Sequence, residues 1–360
     1  MISLCMIVKN EAHCLVRCLQ SAQGCVDEII VVDTGSSDDT VKIAKQFGAK
    51  VFYYQWQDDF GAARNFSLDQ ASGHWIIYLD ADEELAYGCC QHLKALTEVD
   101  DADGYYFTIN NFTDQGEPIK HISVRMFRNK PQYRFKGKLH EQITDGMVLY
   151  NSGLTINHYG YLASTWVTKN KAQRNYRINI QMVAAEPENA FYLYNLGNAC
   201  CNLNDLTGAV DNYRQALQHL NLSDNYAPSV FIAYISCLLK LGRIEETLTY
   251  IDLCQTHFPH YVDIYFLAGE VYQALGMMTE SVNCYEKCLA LGENPGGRYT
   301  SQTGVGSFLP CFRLAEIYQS QGELNKAIGW QLCGLRIKPD QAQLSVLKQM
   351  LREVDKHPST

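Results

Sequence analysis

The stretch HWIIYLDADEEL, residues 74–85, decides the fold of the first half of the chain. Trp75 to Leu79 is apolar on both faces, the pattern of a strand buried in a parallel sheet. Asp80 and Asp82 follow two residues apart, so in an extended chain both carboxylates would point to the same side. Aspartate is a poor strand former, and like charges at that spacing repel. Something must favour them there.

The same style of element recurs upstream. Ile2–Val8, Glu28–Val32 and Lys50–Tyr54 read as strands. Ala12–Gln23, Asp38–Phe47 and Phe60–Gln70 read as helices, the second capped by Ser36 or Ser37. This βαβα alternation predicts a mostly parallel sheet with helices on both faces. Ligands of such sheets bind at the carboxyl ends of the strands. Three acidic sites fall at those ends and are expected to converge: Glu11, Asp33 and the pair Asp80/Asp82. Converging carboxylates favour a divalent cation, and hard oxygen ligands suit Mg²⁺ or Mn²⁺. Such a cation would remove the repulsion and could neutralise a diphosphate.

At 360 residues the chain is long enough for two domains, or one domain and an array. Its 47% hydrophobic and 19% charged residues read as globular and soluble. The net charge of −9 argues against nonspecific binding to nucleic acid or anionic lipid. Met1–Val8 is apolar but short and lacks a basic start, so it reads as a core strand, not a signal peptide. No later apolar run is long enough to span a membrane, and a cytoplasmic location is expected. Fourteen cysteines are spread through the chain without CxxC spacing. Most are expected to be small buried hydrophobes in a reducing cytosol.

From residue 190 onward the chain repeats itself. The turn positions Asp205, Gly242, Gly276 and Gly322 are 37, 34 and 46 residues apart. The small second-helix residues Ala209, Thr247, Ser281 and Ala327 are 38, 34 and 46 apart. A helix–turn–helix period near 34 resembles tetratricopeptide (TPR) repeats, and four degenerate units can stack into a short solenoid. The long last interval matches the insertion GENPGGRYTSQTG between units. The division expected is 1–163 for the α/β domain, 164–188 for a joining helix and 189–360 for the repeats.

The order SLCMIVKNEAHCLVRCLQS, DEIIVVDTGSSDDT, DDFGAARNFSLDQASGHWIIYLDADE closely resembles a family 2 glycosyltransferase with a GT-A fold, over residues 2 to about 160. The resemblance implies transfer of a sugar from a UDP-sugar by inverting single displacement, with Mn²⁺ or Mg²⁺ as cofactor. It places Asp33 on the uracil ring, Glu11 in the same pocket, and Asp80 near the ribose within the motif Asp80-Ala81-Asp82. Ala81 then belongs to the nucleotide-sugar site. The same resemblance gives Asp82 the metal and Arg64, in GAARN, the diphosphate.

Two later stretches, YRFKGKLHEQI (133–143) and INHYGY (156–161), look like segments of S-glycosyltransferases of this family that also carry TPR-like helices. They make Glu141 the general base for the acceptor. His158 becomes an added metal or diphosphate ligand. The bland readings are an exposed turn acid for Asp82, a helix-cap neighbour for Asp33 and a solvated arginine for Arg64. Those for Glu141 and His158 are a loop acid and a core histidine.

The concave surface of repeats makes a peptide or protein acceptor natural, with lipid-linked and saccharide acceptors open. The joining helix, basic early and broken at Pro187, would hold the repeats beside the active site, or their apolar flank would pair two subunits. A second reading is an inactive glycosyltransferase-like scaffold that binds proteins through its repeats. A nucleotidyltransferase would carry a Gly-rich basic loop after the first strand, where VKNEAH stands instead.

Overall fold

The computed structural model describes residues 1–113, 118–143, 146–161, 168–293 and 299–356. The chain divides into two compact units, Met1–Ala185 and Glu186–Thr360.

The first unit begins with β1 (Ile2–Val8), α1 (Leu15–Ala22), β2 (Glu28–Asp33), α2 (Thr40–Gln46) and β3 (Lys50–Tyr53). It continues through α3 (Phe60–Asp69), β4 (Trp75–Tyr78), β5 (Glu83–Leu85) and α4 (Cys89–Leu96). β6 (Gly104–Thr113), β7 (Ile119–Arg128), β8 (Leu149–Tyr161) and α5 (Thr168–Ala185) complete it. These strands run in the order β3-β2-β1-β4-β7-β6-β8-β5. β1 pairs in parallel with β2 and β4, β2 with β3, and β6 with β8. β4–β7, β6–β7 and β5–β8 are antiparallel, so the sheet is mostly parallel.

Its two faces bury separate cores, which explains the unbroken apolar run of residues 75–79. Trp75, Ile77 and Leu79 enter one core with Leu4, Met6 and Val31. Ile76 and Tyr78 enter the other with Cys5, Ile30 and Val32. Trimming Ile76 or Ile77 to alanine would cost about 2–5 kcal/mol.

Several expectations are corrected at the strand ends. Asp80 and Asp82 do not ride one face of an extended strand, because β4 ends at Tyr78 and a turn follows. The Glu83 N–H donates to the Asp80 carbonyl at 3.0 Å, and the Asp80 N–H to Glu83 Oε2 at 2.8 Å. Aspartate favours such turns, and the turn separates the two charges. Ser36 and Ser37 do not cap α2, whose N-cap is Asp39 with no side-chain bond. They stitch the β2 loop to the β1 loop instead: Ser36 Oγ accepts from the Asn10 N–H at 2.9 Å, and the Ser37 N–H donates to Asn10 Oδ1 at 2.7 Å. Thr40 Oγ1 accepts from the Glu11 N–H at 2.8 Å, which holds Glu11 beside the second strand's loop.

Cys25 and Cys90 are joined as a disulfide, while the other twelve cysteines are free and most of them buried, as expected. The helix expected over 164–188 runs Thr168–Ala185 and belongs to the first unit; residues 162–167 lie outside the described ones. It stops short of Pro187, which cannot continue a helix.

The second unit comprises α6 (Ala190–Asn202), α7 (Leu206–His219), α8 (Ala227–Lys240), α9 (Thr247–His257) and α10 (Val262–Ala274). α11 (Met278–Leu291), α12 (Phe308–Ser320), α13 (Leu324–Ile337) and α14 (Gln341–Lys356) follow. Successive helices pack as pairs, α6 with α7 through α12 with α13, and α14 lies on α13. The pairs turn at Gly242, Gly276 and Gly322, with φ of 73°, 75° and 79°, the left-handed geometry that closes a helix. Ala209, Thr247, Ser281 and Ala327 are all 0% exposed, as helix crossings require. Part of the GENPGGRYTSQTG insertion lies outside the described residues. Among the described residues, no helix is long and apolar enough to cross a membrane.

Candidate active site

The first two strand ends supply Glu11 and Asp33. Asp33 is buried, and its carboxylate accepts from the N–H groups of Gly35 at 3.2 Å and Ser36 at 3.1 Å. It closes its own turn and so fixes the loop beside the β1 end. Glu11 accepts from the Cys14 thiol at 3.2 Å, and burial pushes its pKa up against the pull of Lys171. His13 and Cys14 bring ligand atoms within 4.8 Å of Glu11.

Arg64 organises the third group. It sits in α3, whose N-cap Asp59 accepts from the Ala62 N–H at 2.8 Å, and it is 7% exposed. Its guanidinium lies over the rings of Tyr78 at 5.1 Å and Phe135 at 5.7 Å. One nitrogen donates to Asp80 Oδ1 at 2.7 Å, and Nε pairs with Glu141 Oε1. A buried guanidinium needs such partners. Burial opposes the charge on Asp80, but Arg64 and Arg125 outweigh it and hold the carboxyl down to about 2. Arg64 therefore serves two carboxylates.

Glu141 reaches Arg64 because its loop is tight. Lys136 and Gln142 exchange backbone bonds of 3.0 and 3.1 Å, with Gly137 and His140 between them at φ of 94° and 56°. The Phe60 N–H at the start of α3 donates to the Lys138 carbonyl at 2.8 Å. A side chain at Gly61 would meet the Gly137 carbonyl at 2.5 Å, which accounts for the small residue in GAARN.

Asp82 faces a different set. His158 Nε2 stands 3.6 Å from Asp82 Oδ1, and Lys171 Nζ stands 3.6 Å from Oδ2. Strand register produces the first contact, since β5 and β6 place Glu83 and Asn111 opposite His158. The Asn111 amide nitrogen donates to the Ile119 carbonyl at 3.0 Å and contacts His121 Nδ1 at 2.9 Å. Its oxygen therefore faces His158 Nδ1, at 2.8 Å, and takes that proton. Nε2 is left turned toward Asp82, the tautomer a metal needs.

These residues fit a divalent cation. Ligands about 2.1 Å from one ion stand about 3.0 Å apart at right angles and about 4.2 Å apart when opposed, so a 3.6 Å separation suits a shared ion. A Cβ at Gly160 would lie 2.5 Å from Asp82 Oδ2 and 2.6 Å from His158 Nε2, so any side chain there would fill the space between them. Burial opposes charge on both groups, yet each favours the charged form of the other, moving Asp82 down and His158 up. A divalent ion would replace the proton on the imidazole.

Ala81 turns its methyl into the core at 4% exposure. Glu83, next after the motif, is 2% exposed and held by a fork from Arg125 at 2.7 and 3.0 Å, with Arg125 4.7 Å over the Tyr78 ring. Sequence reading missed Glu83, Arg125, Asn111, His121, Gly160 and Lys171. Polar residues inside apolar strands, such as Asn111 and Arg125, were a usable signal; the Gly160 contact was not.

The glycosyl transferase family 2 profile matches residues 3–156, and a tetratricopeptide repeat profile matches 262–294. A TPR repeat-containing protein of Synechococcus elongatus is 37% identical over 230 residues, covering 60% of this chain and 56% of that protein. The prophage-derived glycosyltransferase SunS of Bacillus subtilis is 29% identical over 282 residues, covering 74% of this chain and 65% of that one. The chain thus spans less than two thirds of the length of these curated relatives. Among solved structures, S. aureus TarS 1–349 aligns at a TM-score of 0.38 and 14% identity, over 69% of this chain and 88% of that one, too loosely to bear on the site. Residues 3–156 are a family 2 glycosyltransferase domain, and the chain joins that domain to tetratricopeptide repeats.

Proposed function

We propose that this chain is a metal-dependent, inverting glycosyltransferase that moves a sugar from a UDP-sugar to a peptide or protein side chain. The observation that carries the reading is the space between Asp82 and His158, which Gly160 leaves open beside the Arg64-bridged pair Asp80 and Glu141. Asp82 and His158 would hold Mn²⁺ or Mg²⁺, whose chemistry is to neutralise charge developing on the departing diphosphate. Asp33 and Glu11 line the nucleotide side, and Asp80 meets the ribose. Arg64 fixes Asp80 and Glu141 relative to each other rather than standing unpartnered for the diphosphate. Glu141 takes the acceptor's proton as it attacks the anomeric carbon from the face opposite UDP. Its Oε1 is engaged by Arg64, and Oε2 is the oxygen offered to the acceptor.

A peptide acceptor is supported by the repeats, which contain a cavity of about 420 Å³ lined by Phe266, Phe312, Asp263, Glu270, Arg313 and Glu316. The Arg64–Glu141 pair favours a second reading, an inactive scaffold that binds proteins through the repeats, because an oxygen already bonded to Arg64 is not open to an acceptor. Incubating the full chain with UDP-glucose and other UDP-sugars, Mn²⁺ and a cell extract separates the two. Metal-dependent UDP release, labelling a protein of the extract, supports the enzyme; no release with any donor supports the scaffold.

A further inference from the structure

The joining helix α5 is basic at its start, and the proposed mechanism leaves that feature unused. Lys171, Arg174 and Arg177 recur every third residue, so they share one broad face of the helix. All three meet the acidic side of the donor region. Arg177 donates to both oxygens of Asp58 at 2.8 and 2.9 Å, and the Trp56 indole donates to Asp58 at 2.9 Å. Arg174 lies 4.7 Å over the Phe60 ring. Those contacts dock the helix.

Lys171 differs. Its ammonium stands 3.6 Å from Asp82 Oδ2, beyond good hydrogen-bond distance, and its field also reaches Glu11. The lysine side chain is 30% exposed while Asp82 is 14% exposed, so the flexible partner can leave and the carboxylate cannot. Asp82 also faces the space that Gly160 leaves open, and the oxygen nearest that space, Oδ2, is the one Lys171 approaches, so ammonium and cation would compete for it. An ammonium is a compact charge on a four-carbon stem with three rotatable donors, suited to changing partners.

We infer that Lys171 is an exchangeable counter-ion, balancing Asp82 in the free protein and moving to the donor's diphosphate once a divalent cation engages Asp82. The inference rests on the donor-site reading proposed above. Two positive groups cannot share Asp82 without repulsion, and the incoming diphosphate supplies the anion the displaced ammonium needs. The same residue therefore opposes metal binding without nucleotide and supports nucleotide binding with metal. A residue that merely docks α5 has no reason to do both.

The test uses the full-length chain and the variants Lys171→Met and Arg177→Gln. Mn²⁺ alone is titrated by electron paramagnetic resonance; UDP with Mn²⁺, and uridine, by calorimetry. Lys171→Met is expected to bind Mn²⁺ about fivefold tighter and UDP about tenfold weaker, with uridine unchanged. Arg177→Gln is expected to leave all three constants unchanged. Mn²⁺ and UDP constants within twofold of the parent in Lys171→Met would overturn the inference, as would equal shifts in Arg177→Gln, which assign the effect to docking. A parent chain that binds no UDP refutes the donor reading and the diphosphate half with it, and the Mn²⁺ titration still decides the counter-ion half.

Discussion

Adding one methyl group at Gly160 should empty the proposed metal site while leaving the fold in place. The methyl carbon would lie 2.5 Å from Asp82 Oδ2 and 2.6 Å from His158 Nε2, whereas ordinary contact begins at 3.4 Å. One or both groups must retreat by about 0.9 Å. Misplacing a group by about 1 Å costs on the order of a hundredfold in a preorganised site. That is about 2.7 kcal/mol. The strand backbone at this position lies outside the left-handed region, so alanine is conformationally allowed. Mn²⁺ affinity of Gly160→Ala, measured by paramagnetic resonance with UDP present, should fall about a hundredfold. The thermal midpoint by circular dichroism should barely change. Mn²⁺ affinity within threefold of the parent, in a folded variant, would refute the cradle.

Asp82→Asn should abolish transfer and weaken metal-dependent UDP binding while the fold survives; an active variant would remove Asp82 from the metal site. Glu141→Gln should lower kcat by about 10²–10⁴-fold with UDP affinity nearly kept, and equal loss of UDP binding would instead assign Glu141 to holding Arg64. Arg125→Met should lower the unfolding free energy by about 3–5 kcal/mol in urea, because Glu83 would be left buried without its partner. Glu28 carries a pH-dependent prediction: burial opposes its charge, but bonds from Lys50, Ser3 and Ser72 hold it down to about 2. Its depressed value contributes stability that is present above pH 4.5 and lost as pH falls through about 2. Glu28→Gln should therefore be less stable than the parent by up to about 3 kcal/mol at pH 7, with the gap closing toward pH 2; a gap constant with pH would contradict this.

The parallel half of the sheet was legible because each strand carries its own apolar run and each helix its own periodicity. Asp82 was legible for the same reason, as an acid placed just beyond a buried strand. What local pattern could not carry was pairing at a distance. Arg64 and Glu141 are 77 residues apart, and His158 and Asn111 are 47 apart. The register of β8 against β6 decides which face His158 takes, and a shift by one residue would turn it away from Asp82. The turn at 80–82 is not visible in the sequence because spacing does not reveal where a strand stops. The role of Gly160 lies in a space between two side chains, and a glycine in a sequence does not announce what it leaves open. In the repeats the opposite holds: Ala209, Thr247, Ser281 and Ala327 keep a period that survives divergence, and each marks a buried crossing.

Diffraction at the manganese edge from crystals of the full chain grown with UDP and Mn²⁺ tests the central claim most directly. The account predicts one anomalous peak between the Asp82 carboxylate and His158 Nε2, next to the diphosphate and lost in Asp82→Asn. A peak at Glu11, His13 and Cys14 instead, or UDP bound at full occupancy with no manganese beside Asp82, would contradict it.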